Sequence, residues 1–323
     1  MPTSSQNADA VSPPASASLS VAVVMLTLNQ REKTIRALTS FTPNERASAQ
    51  FLIWDNGSTD GTIEAVHARF PEVSTYRSDT NLGVAGGRNA AAARAMELFQ
   101  PSFLLFLDND LVVAPGFIGA LLGALTSDPR VGQVQAKLRF LARPDRINDG
   151  GGCRISFWRG RTRPVGFNEI DCGQFDTPTP CVSCGGAMMV RADVFWALGG
   201  FDMTFNPFGP EDLDFSLRLQ KHGYRAMYIP RAMAYHEVSH TFGGGQYTAH
   251  YARLKAQHWL RFLARHGSSS QKLGFVLVGA PLILVTMSFR ELRRGNPRAI
   301  LGSLRGVVAG LRRLRNNQRA SVS

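Results

Sequence analysis

Hydrophobic residues in this chain gather in short unbroken runs: Val21 to Leu28, Phe51 to Trp54, Phe103 to Leu107 and Ala187 to Val190. Runs of that length without polar alternation read as strands buried on both faces, the mark of a parallel sheet covered by helices. The first leads to Asn29, the second ends on Asp55, and the third runs into Asp108-Asn109-Asp110. Helical patterns fill the gaps, from Glu32 to Phe41, from near Thr62, and through an Ala-rich stretch to about Phe99, with a weaker strand at Ser74 to Arg77. This order predicts an α/β fold, a doubly wound, mostly parallel sheet with helices on both faces. The polar residues that close the strands then share the carboxyl edge, where open α/β sheets bind ligands.

The second half is less regular. Gly150 to Gly152, Trp158 to Arg161 and Gly173 to Asp176 read as long loops laid over one face of the sheet. A helix from Ala192 to Leu198 is stopped by Gly199-Gly200, and Asn206-Pro207-Phe208-Gly209-Pro210 delivers Glu211-Asp212-Leu213-Asp214 to the first turn of a helix ending at Gly223. Acids in a first turn complement the helix dipole, so capping explains them. The approach loop, aromatic and rich in Gly and Pro, also suits a site. Tyr228-Ile229 and Tyr235-His236 close the segment.

Length and 44% hydrophobic content allow one large domain plus an appendage. Residues 1–19 read as a disordered tail rather than a secretory signal, because they lack an apolar core; a reducing compartment and reduced cysteines follow. Cys181-Val-Ser-Cys184 has the spacing of a zinc half-site, but Cys153 and Cys172 do not complete it at such spacing, and ordinary buried thiols explain the four as well. The net charge of +12 is one-sided: residues 1–252 carry 22 Lys/Arg and 23 Asp/Glu, residues 253–323 carry 14 and one. Such asymmetry points to an anionic partner.

Two carboxylates one residue apart at a strand end suit Mg²⁺ or Mn²⁺ carrying a phosphate, with plain turn formation as the competing reading. Gly83, Gly86 and Gly87 do not fit G-x-G-x-x-G, which argues against a dinucleotide-binding dehydrogenase. They either let Arg88 approach a nucleotide or cap a helix.

Leu273 to Phe289 is a mostly apolar stretch broken by Gly279 and Pro281. At about 1.5 Å per residue it spans roughly 26 Å, short of a bilayer core. Both flanks are basic, so a crossing would export the Arg-rich tail against the positive-inside tendency. Ile300, Leu301, Leu304, Val307, Val308, Leu311 and Leu314 share one helical face, with Arg298, Arg305, Arg312 and Arg315 largely off it. That is the pattern of a helix lying in a membrane interface; a helix docked on its own domain is the alternative. Nucleic acid fits the charge but not the apolar face. The expected division is a tail (1–19), a main domain (20–250, split at 113/114 into nucleotide and acceptor halves) and a basic helical membrane-associating region (251–323).

Thr27-Leu28-Asn29, Asp55-Asn56-Gly57-Ser58-Thr59-Asp60-Gly61-Thr62, Asn81-Leu82-Gly83 to Arg88-Asn89, Asp108-Asn109-Asp110 and Phe208-Gly209-Pro210-Glu211-Asp212-Leu213-Asp214 together resemble the family 2 glycosyltransferases of the GT-A fold, and most of all the rhamnosyltransferase-like bacterial members that build cell-envelope polysaccharides. The resemblance covers about residues 20 to 240. It implies inverting transfer of a sugar from a nucleoside diphosphate sugar to an acceptor hydroxyl; joined to the C-terminal pattern, this gives a glycan or lipid-linked acceptor at the cytoplasmic membrane face. By position, Asp55 and Arg88 would bind the nucleobase, Thr27, Asn29 and Asn109 would line the nucleotide pocket, and Asp108 would reach ribose or metal. Asp110, with His236, would hold the Mn²⁺ or Mg²⁺ ion, and Asp212 would be the catalytic base. Leu28 replaces a frequent aromatic residue and Asn109 a frequent Asp. A catalytically silent module that binds nucleotide or glycan is the alternative; the complete acids Asp108, Asp110 and Asp212 favour the enzyme.

Overall fold

A computed structural model describes residues 19–183, 185–237 and 248–320, with side chains through 314. The expected disordered tail, up to residue 18, and Cys184 of the Cys181/Cys184 pair lie outside the described residues. The chain begins β1 (Val21–Thr27), α1 (Arg31–Ser40), α2 (Pro43–Ser48), β2 (Gln50–Asp55), α3 (Thr62–Arg69), β3 (Ser74–Arg77), α4 (Gly83–Phe99) and β4 (Phe103–Asp108). These strands are parallel in the order β3-β2-β1-β4. Alternate residues feed two cores. Val23, Met25, Ile53, Leu105 and Leu107 face α1 and its neighbours on one side, while Ala22, Val24, Leu52, Leu104 and Phe106 face Ala91, Ala92 and Ala95 of α4 on the other. Burial on both faces is why these strands read as unbroken apolar runs.

The second half continues with β5 (Leu111–Val113), α5 (Phe117–Ser127), β6 (Val131–Phe140), β7 (Arg143–Asp149), β8 (Cys153–Ser156), β9 (Arg161–Pro164), β10 (Thr179–Pro180), β11 (Ala187–Arg191), α6 (Ala192–Ala197), α7 (Glu211–Lys221) and β12 (Arg225–His236). β11 lies antiparallel between β4 and β6, and β12 runs parallel to β6. Two stretches differ from the sequence reading. The Gly-rich segment before the Ala-rich stretch is itself helical, because α4 already starts at Gly83. The loops at Gly150 to Gly152 and Trp158 to Arg161 are short and set between strands: β7 pairs with β6, and β8 and β9 form a separate hairpin.

Beyond the sheet come α8 (Ala249–His266), α9 (Ser269–Gly274), a π-helical turn (Phe275–Gly279), α10 (Ala280–Arg293) and α11 (Pro297–Ala320). Residues Ser269–Arg293 make one continuous apolar helix long enough to cross a membrane, and most of it is exposed. Helix α11 docks on α8 through Gly302, Gly306 and Gly310: a Cβ at the first two would overlap the carbonyl oxygens of Ala249 and Arg253. Its apolar positions Leu301, Leu304, Val307, Val308 and Leu311 point away from that contact and stay exposed. The docked helix and the outward apolar face are thus two sides of one element.

Candidate active site at the carboxyl edge

Strand register decides which side chains meet. Thr27 stands opposite Asp55 and Leu26 opposite Asp108, so the ends of β2, β1 and β4 share one edge. Just past β1, Asn29 takes a left-handed backbone (φ 51°). Its Oδ1 accepts the Thr59 N–H at 2.7 Å and its own N–H donates to Ser58 Oγ at 2.8 Å, tying the two loops together. Asp55 is fully buried; its Oδ1 accepts from the Ser58 N–H and hydroxyl. Its Oδ2 lies 3.7 Å from Arg77 Nε and has no hydrogen bond.

Thr27 and Asn109 sit in the wall of the site rather than opening onto it. Thr27 is buried, with Oγ1 2.9 Å from Thr34 Oγ1, and Asn109 donates its amide to both hydroxyls at 3.1 Å. That network fixes the turn after β4, where Asp108 and Asp110 diverge.

The acids are organised by Arg88. Its guanidinium is buried and donates to Asp108 Oδ1 at 2.6 Å and to Glu211 Oε1 at 3.2 Å, bridging the end of β4 to the first turn of α7. Both terminal nitrogens of Arg88 are thus engaged by carboxylates. The glycines before it explain how α4 comes so close. A Cβ at Gly83 would lie 2.8 Å from Pro207, and one at Gly87 2.6 Å from a Leu26 methyl. The loop ahead of α7 is pinned to the same helix, with the Val84 N–H donating to Pro207 O at 2.8 Å and Asn206 Nδ2 to Leu82 O at 2.8 Å.

Helix α7 has no side-chain N-cap, and capping accounts for only one oxygen of Asp212: Oδ1 accepts the Leu213 N–H at 2.7 Å. Its Oδ2 points at Gly185, where a Cβ would stand 2.7 Å away, while Asp108 Oδ2 lies 3.9 Å from the equivalent position at Gly186. Two left-handed glycines, φ +48° and +71°, therefore form the floor between the acids. Burial pushes the Asp212 carboxyl up to about 6, with Arg88 and the Leu213 N–H pulling down and Asp108 adding to the rise. Glu211 is pushed higher still, to about 8, by burial and by the Asp212 charge, Arg88 opposing. Asp214 turns the other way, toward Arg218 and α8, and plays no part in this cluster.

Asp110 is buried, and His236 at the end of β12 brings Nε2 to 3.4 Å from its Oδ1. The other ring nitrogen lies 3.0 Å from Asn148 Oδ1, which as an acceptor favours a proton on Nδ1 and leaves Nε2 facing Asp110. Burial lowers the imidazole pKa, but the Asp110 hydrogen bond and charge outweigh it and the net shift is upward. Among the described residues no group of three His, Cys, Asp or Glu side chains could hold a metal by itself. A diphosphate-bound Mg²⁺ or Mn²⁺ needs only one or two protein ligands besides phosphate and water, and a carboxylate with an imidazole suits it. The donor set fits the ion.

Comparison with known proteins bears on this geometry. The family model described as Glycosyl transferase family 2 matches residues 22–199, more than half of the chain. The chain belongs to this family. A second model, described as N-terminal domain of galactosyltransferase, matches residues 170–241. The N-acetylglucosaminyl-diphospho-decaprenol L-rhamnosyltransferase of Mycobacterium tuberculosis (strain ATCC 25618 / H37Rv) is 28% identical over 238 residues, covering 68% of this chain and 77% of that protein, so the family 2 member is rhamnosyltransferase-like. Among solved structures, GalNAc-T7 with UDP, GalNAc and Mn²⁺ superposes with a TM-score of 0.56 at 15% identity; the match covers 82% of this chain and 57% of that one. The mannosyltransferase PcManGT from Pyrobaculum calidifontis, in complex with GDP-Man and Mn²⁺, gives 0.54 at 17% identity, covering 90% and 86%. These likenesses carry the GT-A fold.

The family 2 glycosyltransferase therefore brings together Asp108, Asp212 and Arg88, sets Asp110 with His236 beside them, and keeps Asp55 and Asn29 at the neighbouring loops. The sequence reading missed Glu211 as the second partner of Arg88, Gly185 as the contact of Asp212, and Asn148 behind His236. Glu211 stood in plain view among the first-turn acids; nothing local to Gly185 or Asn148 marks them, because their partners are 27 and 88 residues away.

Proposed function

We propose that this protein transfers a sugar, rhamnose, with inversion from a nucleoside diphosphate donor to a hydroxyl of a lipid-linked or growing envelope glycan at the cytoplasmic face of the membrane. The observation that carries the proposal is the Asp212 carboxylate, held by one oxygen, with the other facing the Gly185 floor beside Asp108. Asp212 Oδ2 takes the proton of the acceptor hydroxyl as that oxygen forms its bond to the anomeric carbon and the bond to the diphosphate breaks. A carboxyl raised to about 6 is a stronger base than a free Asp and still ionised at neutral pH. Arg88 holds Asp108 and the α7 turn in register through both acids, so we assign it to positioning instead of base recognition. Asp55 remains the candidate for the nucleobase: its buried Oδ2 lacks a hydrogen bond, and such an oxygen is costly unless a donor reaches it. Asp110 and His236 would hold the divalent ion, which supplies neutralisation of the leaving diphosphate.

The membrane reading rests on the exposed apolar face of α11, the exposed helix Ser269–Arg293 and the basic C-terminal region. It agrees with the decaprenol-linked acceptor in the name of the mycobacterial relative. The test is a panel of nucleoside diphosphate sugars with Mn²⁺ or Mg²⁺ and membrane acceptors, reading nucleoside diphosphate release. Turnover with the rhamnose donor is the expected result; turnover with another sugar only would keep the transferase and overturn rhamnose. Tight nucleotide binding with no turnover on any donor would make the protein a silent binding module.

A further inference from the structure

The β8–β9 hairpin carries four arginines in ten residues, Arg154, Arg159, Arg161 and Arg163, all exposed. Arg154 is paired across the hairpin with Arg163, and Ser156 with Arg161, so Arg154, Arg161 and Arg163 lie on one face. Like charges directly opposite on a sheet destabilise it. Among the described residues none of the three has an acidic partner. The opposite face carries Ile155, which packs with Leu213, Phe205 and Phe262, so the hairpin is seated on the first turn of α7 and on α8. Its arginine face is exposed, with Arg154 at the rim of an open cleft toward Thr179 and Gln220.

The hairpin's tip meets the apolar helix. A Cβ at Gly160 would collide with Ile283 Cδ1 and Phe275 Cε2 at 2.6 Å, and Gly274 packs on Trp158 Cβ. Trp158 is 40% exposed, with the Arg159 guanidinium 4.3 Å over its ring. Tryptophan and arginine beside an exposed apolar helix are the pairing found at the headgroup level of bilayers.

We propose that the β8–β9 hairpin is a membrane-reading element, whose Arg154, Arg161 and Arg163 bind the phosphates of anionic lipids while Trp158 and the 275–283 helix enter the interface. The inference rests on the membrane reading above and deepens it. Charge complementarity and continuity with the apolar helix select the bilayer surface. Because the same hairpin packs on Leu213, next to Asp212, the contact also sets the angle at which the active-site edge faces the lipid plane.

The experiment is flotation of the full chain with vesicles of phosphatidylcholine alone and of phosphatidylcholine mixed with phosphatidylglycerol. Wild-type protein should bind both, the mixed vesicles more tightly and in a salt-sensitive manner. The Arg154→Ser/Arg161→Ser/Arg163→Ser variant should lose most of that preference, about fivefold per arginine and on the order of 100-fold in all, with binding to neutral vesicles unchanged. Melting and nucleotide affinity check its fold; if the triple variant does not fold, each single variant should lose about fivefold. A triple variant that keeps the wild-type preference overturns the hairpin assignment and leaves the membrane reading standing. Wild-type protein that floats with neither vesicle sinks that reading, and the hairpin with it.

Discussion

At the scale of single residues the site separates roles that the sequence merged. Asp212 was open to two readings, cap and base, and its two oxygens take one each. Asp212→Asn keeps the acceptor for the Leu213 N–H but cannot receive a proton, so transfer should fall about 10²–10⁴-fold with donor affinity unchanged. Burial raises its folded pKa above the unfolded value, so the ionised form costs stability at neutral pH, and the Asn variant should melt no lower than wild type. In wild-type enzyme the transfer rate should decline as pH falls through about 6, where the base takes up its proton; a flat profile down to pH near 5 would exclude Asp212 as the titrating base. Gly185→Ala places a methyl against Asp212 Oδ2 at a backbone of φ +48°, and should cut transfer while nucleotide binding stays intact. Equal loss of both would mean that the floor collapses rather than that the base moves. Asp110→Ala should abolish the metal-dependent part of nucleotide binding, measured by titration with and without chelator; an unchanged affinity removes Asp110 from the metal site.

At the scale of elements, the parallel half of the fold was legible because its inner strands are buried on both faces: β4, for instance, spans Phe103–Asp108, the apolar run that ends on the first acid. Strand β6 was not. Its Gln133, Gln135 and Lys137 alternate with Val134, Ala136 and Leu138, a pattern that mimics a half-wet strand, yet all three polar side chains are buried. Two of them are satisfied by distant partners: Gln135 donates to Asp149 at 2.8 Å and Lys137 reaches Asp171 and Asp176 at 2.6 Å. The link between α7 and α8 is of the same kind. Asp214 reads as one more first-turn acid, but it is fully buried and accepts from Arg218, Arg265 and His266, each at 2.8 Å. Burial alone would raise its carboxyl; those three donors outweigh it and bring it to about 2. A depressed carboxylate stabilises the fold above its unfolded pKa, near 3.9, and that contribution is lost as pH falls from about 4 through 2. It amounts to about 2 kcal/mol. Asp214→Asn should therefore lower the melting temperature at pH 7 by roughly 4–8 °C, with the gap to wild type closing toward pH 2. A gap that persists in acid would mean that the aspartate contributes by packing, not charge.

At the scale of the whole molecule, the C-terminal helices pose the choice between a docked helix and a membrane-bound one, and α11 answers by using two faces. Its glycine face is closed on α8, where Gly302 and Gly306 leave no room for a side chain. Deleting the region would therefore uncover α8 and confuse stability with localisation. Substituting the outward face separates them. Leu301, Leu304, Val308 and Leu311 are each about half exposed, so changing all four to Gln removes little packing and should shift the melting temperature by no more than a few degrees. Each leucine or valine buried in an interface is worth roughly 1.5–3 kcal/mol when fully covered, so even partial insertion of four predicts a loss of at least about tenfold in partition to neutral vesicles. Nucleotide release with a water-soluble acceptor should stay near wild type, since the face is remote from Asp212 in sequence and touches none of the acids. Unchanged flotation together with an unchanged melting temperature would move the attachment to the helix Ser269–Arg293 alone; a collapse in melting would show that the face is covered by the protein itself.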